Sequence, residues 1–167
     1  PQRAIWLAIN LATAILAASV IGLFQDTIEK VVALAVLRPI VASMGGIAGT
    51  QSLTVLIRAM AMGQINDRTE IWLVRREILV SLINGLLWAA VIAVIASYWF
   101  SDIRLGMIIA FAIVINLITA GIAGASLPLL LDRLDIDPAL AGGVVLTTIT
   151  DVVGFFAFLG LAAYFYG

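Results

Sequence analysis

The chain has 167 residues, of which 63 % are hydrophobic and 11 % charged, and its mean hydropathy is +1.18. Soluble domains carry roughly 25 % charged residues, so this composition indicates an integral membrane protein. The absence of cysteine and histidine excludes disulfides, thiolate metal sites and histidine-dependent hydrolases, and we expect neither enzymatic activity nor a nucleic-acid partner. Because the chain begins with Pro rather than Met, we expect that a region upstream is missing.

The first apolar segment, from about Ala4 to Phe24, is long enough to cross a membrane. Small residues recur every four positions along it, which places them on one face and favours close packing against another helix. They are Ala14, Ala18 and Gly22. The polar turn Gln25 to Lys30 ends this segment.

The second apolar segment runs from Val31 to Met62 and exceeds the length of one straight crossing. Proline removes a backbone donor and glycine weakens a helix, so we predict a helix broken at Pro39 and at Gly45-Gly46. Irregular backbone at membrane depth survives only where protein buries it or water reaches it. The break is therefore predicted to line a cavity, and the alternative is a simple kink between two packed half-helices.

A polar loop with an interfacial amphipathic turn, Gly63 to Glu77, precedes the third span, which we place at about Ile78 to Tyr98. The fourth span extends from about Ile103 to Leu131. It carries a small and polar stripe with four-residue spacing. The stripe consists of Asn116, Ala120, Gly124 and Pro128. Asn84 and Asn116 predict hydrogen bonds between helices, with pore lining as the alternative.

The fifth span begins with Asp137, a suitable N-cap, and Pro138, whose missing N–H costs nothing at the first helical position. Asp151 lies near the middle of this span, so its carboxylate is close to the bilayer midplane. A charge there costs about 2.5 kcal/mol or more, which makes Asp151 a candidate ion or proton site. Thr147 and Thr148 share its helical face. The alternative is a structural Asp that is protonated or salt-bridged.

Five spans place the two termini on opposite faces of the membrane. One face collects six basic residues, Arg3, Arg58, Arg68, Arg75, Arg76 and Arg133, and the other has two, Lys30 and Arg104. Because cytoplasmic loops carry the excess of Lys and Arg, we predict a cytoplasmic N-terminus and a C-terminus outside. The same arginines could instead contact anionic lipid or a missing cytoplasmic domain.

One carboxylate per chain cannot balance a divalent ion, but two can if chains pair around a two-fold axis. Carboxylate, amide and carbonyl oxygens suit hard cations such as Mg²⁺, which gives up its water reluctantly and would be held through it. A homodimer that brings two Asp151 side chains together would present a charge of −2 to an ion of +2.

Three stretches carry a resemblance to a known family. They are RPIVASMGGIAGTQSLTVLIRAMAMGQI (Arg38 to Ile65), the Asn116 stripe with Gly124 and Pro128, and DPALAGGVVLTTITDVVGF (Asp137 to Phe155). With these motifs in this order, nearly the whole chain resembles the membrane domain of the MgtE family of magnesium channels.

The resemblance implies five transmembrane helices per subunit, a homodimer with the pore along its interface, and Mg²⁺ conduction. It also implies a cytoplasmic N-terminal region with a pair of CBS domains that senses Mg²⁺. By motif match Asp151 coordinates the hydrated ion, and Thr147 and Thr148 are the threonines of the motif. The predicted pore-lining residues are Pro39, Gly45, Gly46, Gly49, Gln51 and Asn116.

The chain departs from the family pattern at several positions. Ile47 stands where the family usually has Asn, and Gly142 and Val144 replace the usual Ser and Pro. Arg38 precedes the matched proline. Its guanidinium either snorkels to an interface or pairs with Glu29, or else it reaches the Asp151 carboxylate.

Together these observations predict one transmembrane domain over residues 1–167, all-α, in the cytoplasmic membrane and surrounded by lipid. Its predicted function is passive conduction of a divalent cation, with Mg²⁺ as the transported ion. One alternative is a proton-coupled or other cation transporter in which Asp151 changes its protonation. A second, from a different class, is a non-conducting membrane anchor or sensor for a cytoplasmic domain.

Overall fold

The computed structural model describes residues 2–167, which form six α-helices and no strand. The helices are α1 (Gln2–Gly22), α2 (Gln25–Lys30), α3 (Ala33–Ala61), α4 (Asp67–Phe100), α5 (Ile103–Arg133) and α6 (Pro138–Tyr166). All except the short α2 are long and apolar enough to cross a membrane. The prediction of an all-α chain with five helices able to span a membrane is confirmed.

Helix α5 is the centre of the bundle and packs against α3, α4 and α6. In an apolar stretch of 18 residues of α5, 56 % of the residues are buried, against 6 % in the corresponding stretch of α1. Helix α1 packs mainly on α6. The small and polar stripe of α5 is buried along its whole length. The stripe on α1, by contrast, is exposed, and a side chain added at Gly22 would meet nothing.

Glycines let α5 approach its neighbours closely. A Cβ added at Gly106 would collide with Ser97 of α4, and one added at Gly121 with Ser81. A Cβ at Gly124 would lie 2.5 Å from the backbone oxygen of Gly49 on α3. In lipid, the hydrophobic effect does not drive helices together, so their association depends on van der Waals contact. Small residues at the crossings allow that close contact.

Helix α3 is continuous, which corrects the predicted break at Pro39 and Gly45-Gly46: over residues 33–61 the α-helix has no interruption. Pro39 lies inside the helix, in its second turn, so α3 lacks the backbone hydrogen bond from residue 39 to Ala35 but remains helical. Gly45 packs directly against Asn116 of α5, whose amide donates to the backbone oxygen of Val41 at 2.9 Å. Tertiary contact therefore outweighs the weak helix propensity of the glycine pair.

Helix α4 starts eleven residues before the predicted third span, so Gly63 to Glu77 does not form a separate interfacial turn. Asn66 caps the helix by accepting from the backbone N–H groups of Arg68 and Thr69, and Thr69 returns a side-chain contact to the Asn66 N–H. This capping box satisfies orphan donors and fixes the helix start in the polar loop.

The N-terminal ends of α5 and α6 have aspartate caps. Asp137 accepts from the backbone N–H of Ala139 at 2.9 Å with Pro138 in the first turn, as predicted. Asp102 caps α5 and also accepts a hydrogen bond from the Tyr166 hydroxyl at the end of α6. This bond is the main cause that lowers the pKa of Asp102 below its ordinary value of 3.8.

Replacing Tyr166 with Phe is expected to lower the melting temperature of the purified protein near neutral pH. A carboxylate whose pKa is depressed in the folded state contributes stability above its unfolded pKa and loses it as the pH falls through the folded pKa. The difference between wild type and variant should therefore shrink once the pH drops below 3.8. Tyr164→Phe, at an exposed position two residues away, is the control and should melt like wild type. If the melting temperatures of wild type and Tyr166→Phe differed equally near neutral pH and below pH 3.8, the hydrogen bond would not be what lowers the pKa of Asp102.

Candidate functional site

Asp151 lies on α6 with its side chain partly buried and without a cationic partner. Among residues 2–167 the structure contains one ion pair, between Arg133 and Glu70 at 2.8 Å. Arg38 is half-buried on α3 and does not clamp the Asp151 carboxylate. The carboxylate charge is therefore left uncompensated within the single subunit.

The two threonines predicted to accompany Asp151 have their hydroxyl hydrogens engaged by their own helix. Thr147 donates to the backbone oxygen of Gly143 at 2.9 Å, and Thr148 donates to that of Val144 at 2.7 Å. A hydroxyl that donates its hydrogen still has acceptor lone pairs. Both side chains are partly exposed, so they present oxygen acceptors beside a carboxylate.

One exposed face of α3 carries hydroxyl groups and small residues instead of the large apolar side chains expected next to lipid. Its residues follow at intervals of three or four positions, which places them on one face, and all are at least partly exposed. We call this face the α3 stripe; it consists of Pro39, Ser43, Gly46, Thr50 and Thr54. A Cβ added at Gly46 would meet no atom within 4 Å, so the stripe has open space in front of it.

The middle of the α3 stripe, near Ser43 and Gly46, lies at the same depth as Asp151. Helices α3 and α6 run antiparallel, since Gly49 abuts Leu146 while Val41 abuts Gly154. Asp151 falls between these two levels, and so does Gly46. The two groups thus occupy the same layer of the bundle.

The α3 stripe and Asp151 also face the same side of the α3–α6 pair. Thr50 follows Gly49 by one residue, and Thr147 follows Leu146 by one residue, where Gly49 and Leu146 contact each other. Because the helices are antiparallel, one step along each turns the side chain towards the same side of the pair. Asp151 lies one turn beyond Thr147 on that face. We call this surface the open face.

The other predicted pore residues fall in three different places. Pro39 and Gly46 belong to the open face. Gly45, Gly49 and Asn116 are buried behind it, with Asn116 fully enclosed and its amide oxygen without a partner.

Gln51 faces away from the open face, into a cleft between α3 and α4 that Ile47 also lines. The threonines and serine of the α3 stripe were missed by the sequence analysis. Their spacing from Pro39 and Gly46 was the signal that could have found them.

Asn116 forms the interhelical hydrogen bond predicted for it, donating to Val41 on α3. It also fills the space left by two glycines, since a Cβ at Gly45 would collide with its amide and one at Gly154 would lie 2.7 Å from its Nδ2. Asn84 instead donates to its own helix, at the backbone oxygen of Val80.

Residues 38–161 match the family model named MgtE and described as a divalent cation transporter. The chain belongs to the MgtE family. It is 34 % identical over 164 residues to the magnesium transporter MgtE of Bacillus subtilis and 33 % identical over 160 residues to that of Thermus thermophilus. The corresponding transporter of Enterococcus faecalis is 30 % identical over 164 residues.

These MgtE alignments cover 96–98 % of this chain but only 35–36 % of the relatives, so the chain spans about a third of their length. The recognition of the family from its motifs is confirmed. The family is one of transporters, which agrees with the expectation that the chain is not an enzyme.

Proposed function

We propose that this MgtE family member conducts Mg²⁺ passively across the cytoplasmic membrane as a homodimer. In this proposal the open faces of two subunits meet around a two-fold axis and enclose a watery path. The two Asp151 carboxylates hold the ion through its water shell, and Thr147 and Thr148 accept hydrogen bonds from those waters.

The observation that carries the proposal is the open face itself. The Asp151 carboxylate, the threonine hydroxyls and Gly46 lie at a similar depth on the outside of the subunit, where they would otherwise face lipid. Exposing such groups to lipid is costly, so ionisable groups in spanning helices usually face a cavity or a protein interior. A second copy of the same face supplies that interior and brings the charge to −2.

No energy-consuming step is required for uptake. Moving one elementary charge inward gains about 2.3 kcal/mol per 100 mV of membrane potential, so an ion of charge +2 gains about 4.6 kcal/mol. This is enough to drive inward flux along a path that stabilises the hydrated ion at mid-membrane.

The orientation is part of the proposal. The end of the bundle that carries five of the arginines, near Arg58, Arg75 and Arg133, would face the cytoplasm, and the loop at Asp102 would face outside. The greater length of the curated relatives leaves room for a cytoplasmic regulatory region of the CBS type.

Cross-linking between subunits tests whether the open faces meet. The chain contains no cysteine, so Thr148→Cys introduces one thiol per chain next to the Asp151 level. Oxidation in native membranes should then give a disulfide-linked dimer, because two-fold symmetry brings the same position of both subunits together.

Leu87→Cys, at an exposed position on α4, is the control for the cross-linking and should remain monomeric on a denaturing gel. Cross-linking at Leu87 but not at Thr148 would show that subunits meet through another face, and the proposed pore would be wrong.

A further inference from the structure

A cleft lined by both apolar and polar side chains opens between α3 and α4 on the side of α3 that faces away from Asp151. It forms because both helices pack on α5 and touch each other only sparsely. Its volume is about 460 Å³. Six polar side chains line it, namely Gln51, Ser52, Arg76, Glu77, Ser81 and Asn84. The cleft is therefore large enough for an ion together with several waters.

Glu77 is the buried acid of this cleft, and its side chain is only 7 % exposed. Ser52 donates to one carboxylate oxygen at 2.9 Å, and the other oxygen accepts no hydrogen bond from residues 2–167. Burying an unpaired carboxylate within a spanning helix is costly, so such a group requires a source of positive charge.

The protein does not supply that charge directly. Arg76 also lines the cleft, but residues adjacent in a helix do not face each other, and its guanidinium carbon lies 5.5 Å from the ring centroid of Trp72. Within the described chain Glu77 has no ion-pair partner. One carboxylate oxygen of Glu77 is therefore left without a hydrogen bond or a direct ion pair from the described residues.

We propose that the α3–α4 cleft is a binding site for a monovalent metal cation, such as Na⁺, centred on Glu77. One carboxylate balances the single charge of a monovalent ion, whereas a divalent ion would exceed the charge of Glu77. Protonation of Glu77 would require neither the volume of the cleft nor the neighbouring oxygens, whereas a metal ion uses both.

The cleft also contains neutral oxygens of the kind that suit a hard cation. Asn84 donates its amide N–H to Val80 at 3.0 Å, which leaves its amide oxygen uncommitted. The Ser81 hydroxyl lies one turn after Glu77 on the same face of α4. Gln51 completes the set from α3 without any hydrogen bond to the described chain. This site is separate from Asp151, and the inference does not rest on the proposed pore.

Equilibrium binding of radiolabelled Na⁺ to the purified full-length protein tests the proposal, with choline as the inert salt. The variant Glu77→Gln keeps the shape and the acceptor for Ser52 but removes the charge, and it should lose one saturable Na⁺ per subunit. Glu29→Gln removes an exposed acid on α2 and should bind like wild type. The loss should also occur in an Asp151→Asn background, which separates this site from the pore.

If Glu77→Gln fails to fold, Asn84→Leu provides a second variant, because Asn84 is exposed and bonds only within its own helix. It should weaken Na⁺ binding several-fold while the protein remains monodisperse. Wild-type binding by Glu77→Gln, unchanged binding by Asn84→Leu, or the absence of saturable Na⁺ binding in wild type would each overturn the proposal.

Discussion

Replacing Asp151 with Asn is expected to reduce Mg²⁺ uptake into proteoliposomes to the level of protein-free vesicles. The substitution keeps the size of the side chain but removes one negative charge from each subunit. In a dimer the charge facing the ion changes from −2 to zero, which removes the compensation that a divalent ion requires at mid-membrane. A Mg²⁺-sensitive dye inside the vesicles measures the effect, and we expect a loss of at least about tenfold.

Two variants make the Asp151 result interpretable. Asp151→Glu keeps the charge on a longer side chain and should retain partial uptake. Asp26→Asn removes an exposed acid on α2 and should leave uptake unchanged. Expression and dimer formation should be equal in all three. Mg²⁺ flux in Asp151→Asn at the wild-type rate would remove Asp151 from the mechanism.

The same vesicles separate passive conduction from proton coupling. Flux through a passive path follows the Mg²⁺ gradient and the membrane potential and is indifferent to a collapsed pH gradient. If uptake instead vanished when the pH gradient was collapsed, Asp151 would act as a proton carrier. Flat traces for wild type under every cation gradient would indicate a membrane anchor.

The features that sequence could predict are those set by local chemistry. Apolar length predicts the five spans, and the caps Asp137 and Pro138 follow from the orphan N–H groups of a helix start. Four-residue spacing predicts that the small residues of α5 share one face of the helix. Each of these depends on a single helix and its solvent.

The features that sequence could not predict depend on the neighbours of each helix. Pro39 and Gly45-Gly46 predict a break by propensity, but contact with Asn116 keeps α3 helical. Gln51 is one residue from the α3 stripe yet faces the cleft with Glu77. Which of two adjacent faces meets a partner helix is a property of the bundle, and one sequence alone does not contain it.

Glu77 is another residue whose environment the sequence could not predict. In the sequence it ends a run of charged residues, and that run predicts an interfacial turn. In the structure α4 begins at Asp67, which carries Glu77 inward until it is buried against Ser52. The early start of one helix converts a loop charge into a buried one.

Replacing Gly124 with Ala is expected to destabilise the bundle, although Ala is the better helix former. Helix propensity favours Ala by about 1 kcal/mol. Against this, the new Cβ would lie 2.5 Å from the backbone oxygen of Gly49, and a backbone atom cannot move aside without moving α3. Overpacking of this kind costs about 1–3 kcal/mol or more, so the clash outweighs the propensity gain. Gly124→Val should be worse still.

Gly160→Ala is the matched control for Gly124, because a Cβ at Gly160 would make only an ordinary contact of 3.9 Å with Phe24, and the propensity gain remains. It should melt at or above the wild-type temperature, while Gly124→Ala melts lower, as measured on purified protein in detergent. The displaced helix is the one that carries the α3 stripe, so Gly124→Ala should also lower Mg²⁺ flux per folded dimer, although Gly124 is buried behind the open face. If Gly124→Ala melted like Gly160→Ala, α3 and α5 would not be in the close contact on which the position of the open face depends.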